Sequence, residues 1–279
     1  MITCWWTWER PVDGVRTGAP SVERKGALVT GLFDISGRVA LVTGSTRGIG
    51  RSLAEGLAAA GAQVVIHGRT GDAAAGVARQ LGSAAESAVF DVTDPVAVIE
   101  GIDRIESEVG PIDILVNNAG IQRRAPFVDF EYSDWNDLIA TNLTSAFLVG
   151  QRVARSMTLR GSGKIVNIGS VQSQLGRPGI AAYAATKGGI AMLTKGMCAD
   201  LAGSGIQVNA LAPGYFATEL TKALVDDEQF SEWVRKRTPA GRWGEVQDLI
   251  GTLVFLVSPA SDFVNGQVIF VDGGMTAVV

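Results

Sequence analysis

The chain has 279 residues, enough for one α/β domain without requiring a second. Hydrophobic residues at 47% exclude disorder, and a net charge of −4 with no block of like charges argues against a nucleic-acid partner. One histidine and two cysteines argue against a structural zinc site, a two-histidine metal centre and a disulfide framework.

Residues 1–32 stand apart, with Trp5, Trp6 and Trp8 crowded ahead of a Pro/Gly/Arg stretch that has no periodicity. They read as an extension outside the fold, from an upstream start codon; the alternative is an aromatic arm clasping a partner subunit. The domain is expected to span residues 33–279. From Phe33 onward the pattern turns regular. Strands are expected at Arg38–Thr43, Gln63–His67, Ser87–Phe90, Ile112–Val116, Gly163–Ile168, Ile206–Leu211 and Val268–Val271. Between them, helical periodicity marks Gly50–Ala60, Ala73–Leu81, Pro95–Val109, a long run Ser133–Leu159, and Tyr183–Leu201. The charged segment Thr218–Arg237 has few strand signals. The longest apolar run, Leu249 to Ala260, falls short of the ~20 residues of a membrane span, and no basic stretch precedes an apolar one at the N-terminus. The chain therefore reads as a soluble, cytoplasmic protein with no membrane partner and no metal. Apolar strands alternating with helices predict a doubly wound, Rossmann-type parallel sheet of about seven strands, with helices on both faces. In such folds the ligand crevice lies beyond the carboxyl ends of the strands.

The turn after the first strand reads Thr43, Gly44, Ser45, Thr46, Arg47, Gly48, Ile49, Gly50. Glycines here permit a tight reversal and let backbone N–H groups approach a pyrophosphate at a helix N-terminus. An NAD site places an acid at the end of the second strand to accept the ribose 2′-hydroxyl, but here the segment is His67-Gly68-Arg69-Thr70. Arg47 and Arg69 suit a 2′-phosphate instead, which favours NADP(H) over NAD(H); the alternative is that both are simply solvated. Tyr183 and Lys187 lie at i and i+4 on one helix face, Ser170 follows the fifth strand, and Asn142 falls in the long helix.

Together with Asn117-Asn118-Ala119-Gly120 and Pro213-Gly214, these residues identify the segment from Phe33 onward as resembling the short-chain dehydrogenase/reductase family. The resemblance implies that Tyr183 is the general acid in ketone reduction and the base in the reverse direction. Lys187, together with an oxidised nicotinamide, is expected to lower the phenol pKa; Lys187 is also expected to hold the nicotinamide ribose, and Ser170 to hydrogen-bond the substrate oxygen. Asn142 is expected to hold a water that links Lys187 to solvent. It further places Asp91 and Val92 at the adenine edge, Asn118, Ala119 and Gly120 along the adenosine, and Pro213, Gly214 and Thr218 at the nicotinamide carboxamide.

Segments 110–127, 170–178, 192–197, 212–219, 236–244 and 262–266 resemble the branch of the family that acts on sugar acids. This implies interconversion of D-gluconate and its 5-keto form. One departure is Gln174, where Glu is expected. Arg123, Arg124 or Arg177 suits the substrate carboxylate, and Gln172, Gln174 and Tyr215 suit its hydroxyls; each arginine equally suits a surface or subunit contact. The alternatives are a dehydrogenase of 2-dehydro-3-deoxy-D-gluconate, a reductase of 3-oxoacyl groups on a carrier protein, and a non-enzymatic NADP(H) sensor. Small residues on second faces of the long helices, with the resemblance, imply a homotetramer. Segment Thr218–Arg237 is expected to form a lid over the substrate.

Overall fold

A computed structural model describes residues 29–279. The expectation of an N-terminal extension therefore falls almost wholly outside the described residues. A 3₁₀ turn, Val29–Phe33, leads into the domain.

Among the described residues seven strands form one parallel sheet, in the order β3-β2-β1-β4-β5-β6-β7. They are β1 Val39–Val42, β2 Gln63–Gly68, β3 Ala85–Val89, β4 Ile112–Asn117, β5 Gly163–Ile168, β6 Ile206–Pro213 and β7 Val268–Val271. β1 pairs with β2 on one side and β4 on the other, so the strand order reverses at the β1/β4 boundary. The β-branched and leucine runs of β1, β2, β4, β5 and β6 are buried on both faces, which is why they read as continuous rather than alternating apolar segments.

Helices cover the two faces. On one lie α1 (Gly48–Ala59), α2 (Gly71–Leu81) and α9 (Ile250–Val257). Leu53, Leu57, Leu253 and Leu256 pack there against Ala40, Val42, Val64 and Ile66. On the other lie α3 (Pro95–Glu108), α5 (Ser145–Arg160) and α6 (Ala181–Leu201), where Ile102, Val153 and Met157 pack against Leu41, Val65 and Leu115. Each fully buried Leu or Ile contributes roughly 1.5–3 kcal/mol. The helix α9 occupies the apolar run that carried no element assignment in the sequence, because periodicity alone does not separate a short apolar helix from a strand.

Two further differences concern the site. The run expected as one helix over Ser133–Leu159 is α4 (Tyr132–Ile139) and α5 joined by a π turn, Ala140–Thr144. Asn142 lies in that turn and is buried. The expected third strand shifts N-terminally, which leaves Phe90 beyond its end with its ring against His67 at 4.1 Å. The segment Thr218–Arg237 forms a 3₁₀ turn Glu219–Thr221, a single turn α7 (Lys222–Val225) and α8 (Glu228–Arg237), capped by Asp227.

Candidate active site

Strand ends on the carboxyl edge of the sheet deliver the site. After β1, Gly44 and Gly48 adopt left-handed φ values of 63° and 57°. A Cβ at Gly50 would stand 2.5 Å from the Gly44 carbonyl oxygen and closer still to the Asn118 amide, so only glycine fits there. The turn is clamped from β4. Asn118 Nδ2 donates to the carbonyls of Thr43 (2.9 Å) and Gly44 (3.1 Å), while Thr43 Oγ1 accepts from the amides of Asn118 and Ala119, both at 3.0 Å.

The first turn of α1 has no acidic residue, and its N-cap Arg47 makes no side-chain capping bond. Its N–H groups and positive dipole end are thus available to an anion. Arg47 and Arg69 are exposed, and neither has a carboxylate partner among the described residues. Thr46 and Ile49 line the same turn, half-buried. Val92 is buried beyond β3 beside Asp91, whose Oδ1 accepts from Thr93 N (2.8 Å) and Oγ1 (2.7 Å). Those bonds, the backbone one foremost, hold its carboxyl below the usual range. The cradle of glycine backbone, uncapped helix end and unpaired guanidinium groups fits a dinucleotide phosphate.

Across the β4–β5 boundary stand Ser170, Tyr183 and Lys187. Ser170 caps the short turn Val171–Ser173. Its hydroxyl donates to Gln172 Oε1 and accepts from the Gln172 amide at 3.2 Å, so Gln172 faces Ser170 rather than open crevice. Tyr183 and Lys187 sit one turn apart on α6, with the ammonium 5.7 Å from the phenol ring centroid. Lys187 is 6% exposed, and its Nζ donates to the Ile168 carbonyl at 2.7 Å. Burial pushes that amine down to about 8.

Burial raises the Tyr183 phenol above its ordinary range; the neighbouring Ser170 hydroxyl and the charge of Arg124 act against the rise, and Tyr215 adds to it. The ammonium of Lys187, the group expected to act on it, is bonded to the Ile168 carbonyl at 2.7 Å and lies 5.7 Å from the ring centroid. Asn142 turns its side chain to the loop after Gly120. Its Oδ1 accepts from Ile121 N (2.7 Å) and its Nδ2 donates to Ile121 O (2.9 Å), which fixes the loop after Gly120.

The three candidate arginines separate. Arg123 pairs with Asp134 at 3.2 Å on the surface. Arg177 stands 5.2 Å over the Phe230 ring and donates to Tyr215 Oη at 3.4 Å. Arg124 alone of the three has its charge felt at the Tyr183 phenol. Gln174 is exposed, with its amide bonded to the Val171 carbonyl. Tyr215 sits edge-on to Phe230, Trp233 and Trp243, which joins the β6 loop to α8. Gly214 N donates to the Val271 carbonyl at 3.0 Å, holding the Pro213–Gly214 loop to β7, and Thr218 caps the turn that follows.

Several participants left little trace in the sequence. Thr43 carries the clamp through its hydroxyl, and Ser173 Oγ donates to the Lys187 carbonyl at 2.8 Å. His67 Nδ1 accepts from Gly44 N at 3.0 Å. A polar residue at the buried end of an apolar strand was the available signal for His67; the aromatic cluster had none.

This combination of crossover turn, Ser-Tyr-Lys constellation and seven-stranded parallel sheet is that of the short-chain dehydrogenases, and the family model described as enoyl-(acyl carrier protein) reductase matches residues 44–276. The chain belongs to the short-chain dehydrogenase/reductase family. Within it, the chain is 60% identical over 248 residues to gluconate 5-dehydrogenase of Gluconobacter oxydans strain 621H, covering 88% of this chain and 97% of that one. It is 54% identical over 251 residues to 5-keto-D-gluconate 5-reductase of Escherichia coli K12, covering 89% and 99%. Among solved structures, a gluconate 5-dehydrogenase from Burkholderia cenocepacia J2315 in complex with NADP and tartrate is 60% identical, with a TM-score of 0.88 over 90% of this chain and 99% of that one.

Proposed function

We propose that this chain is an NADP(H)-dependent oxidoreductase that interconverts D-gluconate and 5-keto-D-gluconate. The observation that carries it is the convergence of Ser170, Tyr183 and Lys187 beyond the ends of β5 and on α6, facing the glycine turn across the sheet crossover. The relatives named for this reaction share 54–60% of their residues with the chain over nearly their whole length.

In this reading residues 44–50, with Asn118, Ala119 and Gly120, hold the pyrophosphate and adenosine. Asp91 and Val92 meet the adenine, and Arg47 and Arg69 take the 2′-phosphate as planar guanidinium donors. Pro213, Gly214 and Thr218 receive the nicotinamide end. When bound, the reduced cofactor supplies the hydride that adds to the ketone carbon. Tyr183 Oη donates the proton to the ketone oxygen, and Ser170 Oγ–H turns from Gln172 to hydrogen-bond that same oxygen. Lys187, charged as pH falls through about 8, stabilises the phenolate that proton donation leaves behind. Asn142, held by Ile121, fixes the π turn beside α6 and with it the path by which Lys187 reaches solvent. Arg124 takes the substrate carboxylate, since Arg123 and Arg177 are engaged elsewhere. Gln172, Gln174 and Tyr215 are left for hydroxyls.

We further propose that the chain works as a cytoplasmic homotetramer. Phe147 at 46% and Met192 at 64% exposure leave apolar surface on the outer faces of α5 and α6, which suits helix packing between subunits. No helix among the described residues is long and apolar enough to cross a membrane.

The test is oxidation of NADPH followed at 340 nm with 5-keto-D-gluconate, beside NADH and beside a panel of 2-dehydro-3-deoxy-D-gluconate and 3-oxoacyl thioesters. Fast NADPH-linked turnover of the 5-keto acid alone is expected. Turnover only with another member of the panel overturns the substrate, and NADPH binding without turnover of any member supports a sensor instead.

A further inference from the structure

The one histidine of the chain takes no part in the chemistry above, yet its bonding is complete. His67 is 2% exposed, near the end of β2. A neutral imidazole offers one donor and one acceptor. Gly44 N is a backbone donor 3.0 Å from Nδ1, so Nδ1 accepts and the ring proton stands on Nε2, which donates to the Phe90 carbonyl at 3.0 Å. The His67 backbone adds two more ties to the same turn. Its carbonyl accepts from Ser45 N at 3.0 Å, and its amide donates to Ser45 Oγ at 2.9 Å. Phe90 in turn is wedged against α3, where a Cβ at Gly101 would run into its ring.

We propose that His67 is a positioning residue for the dinucleotide site, a rigid strut between the phosphate turn at Gly44 and the adenine-side loop that begins at Phe90. One imidazole spans the two loops that a single cofactor must contact, the turn at Gly44–Gly50 and the segment Asp91–Val92. Each loop alone has freedom that the other does not restrain, and the ring sets their separation before the ligand arrives. Preorganisation of this kind raises affinity by removing an ordering cost from the binding step. Burial keeps the ring neutral by pushing it down to about 4, and Asp91 is the charged neighbour that opposes this. The inference rests on the reading that these loops hold NADP(H).

Three substitutions divide the strut into its halves. In His67→Asn the amide oxygen replaces Nδ1 and keeps the acceptor for Gly44, while the reach to Phe90 is lost. In His67→Gln the amide nitrogen replaces Nε2 and keeps the donor to Phe90, but Gly44 loses its acceptor. His67→Leu keeps volume and neither bond. Equilibrium binding of NADPH and of NADH is measured by nicotinamide fluorescence, with thermal unfolding of the free protein alongside. The Leu variant, with both bonds lost, is expected to bind both nucleotides about tenfold more weakly. Asn and Gln each sever one end of the strut, so both are expected to bind both nucleotides more weakly than wild type. The loss should be equal for NADPH and NADH, since the strut does not touch the 2′-phosphate, and kcat at saturating NADPH should hold.

Dissociation constants within twofold of wild type in the Leu variant, or in both the Asn and the Gln variant, overturn the proposal. If the Leu variant does not fold, the Asn and Gln variants decide alone. A wild-type protein that binds neither nucleotide overturns the cofactor reading itself, and the strut with it.

Discussion

At the scale of single residues, burial holds several ionisable side chains away from their ordinary behaviour, and for His67 and Tyr183 this has a measurable consequence. His67 titrates at about 4 when folded against an ordinary value of 6.5. Between those values the unfolded chain binds more protons, so stability falls as pH drops from 6.5 towards 4, by about 3 kcal/mol in total. Urea midpoints across that range are expected to fall more steeply for wild type than for His67→Asn, which has nothing to protonate there. Tyr183 carries a different expectation. Its phenol is raised by burial and has Ser170 and Arg124 as its counterweights, so Tyr183→Phe should lower kcat by about 10²–10⁴-fold while NADPH affinity, measured by fluorescence, stays near wild type. Arg69 stands exposed with no acidic partner among the described residues, so Arg69→Ala should weaken NADPH by about tenfold or more and leave NADH nearly unchanged. The identities of Tyr183 and Arg69 were legible in the sequence, because spacing and strand position point to them, whereas His67 left only a polar residue at the end of an apolar strand. Their electrostatics were not legible. That Lys187 bonds to the Ile168 carbonyl, and that Asn142 bonds to Ile121, depends on chain segments brought together only by the fold.

Elements show where periodicity succeeds and fails. Strands buried on both faces and helices with one apolar stripe announce themselves, and the boundaries of β5, β7 and α2 fall within a few residues of the expected ones. The π turn at Ala140–Thr144 left no mark in the apolar spacing, since one extra residue in so long a run reads as noise. Its effect is geometric: at 3.6 residues per turn one residue is about 100° of rotation, so α4 and α5 present faces out of phase with each other. Deleting one residue from the turn should misdirect either Leu138 of α4 or the buried stripe of α5, and lower the melting temperature sharply. The glycine turn is unforgiving in another way. Gly50→Ala places a methyl against Gly44 and Asn118, and is expected to cost about 1–3 kcal/mol and to weaken NADPH binding more than substrate KM. On the substrate side, Trp233 of α8 sits edge-on to Tyr215, and Trp233→Ala should raise KM for the sugar acid with NADPH affinity unchanged if α8 closes the crevice.

For the molecule as a whole, the alternation of strand and helix specified the sheet and its crossover, whereas the proposed assembly rests on exposed apolar surface of α5 and α6. Light scattering at micromolar concentration should return four times the chain mass; a monomer would leave Phe147 and Met192 without a role. The pairing of β7 with β6 bears on when activity is born. Gly214 hangs from the Val271 carbonyl, and Asp272 bonds Gly274 and Thr276 to steady the segment beyond. Every other wall of the crevice comes earlier in the chain. On the ribosome, a nascent chain halted before Val268 already carries the glycine turn, Ser170, Tyr183 and Lys187, yet lacks the strand from which the Pro213–Gly214 loop is suspended. Synthesis thus withholds a finished crevice until the sheet receives its edge strand.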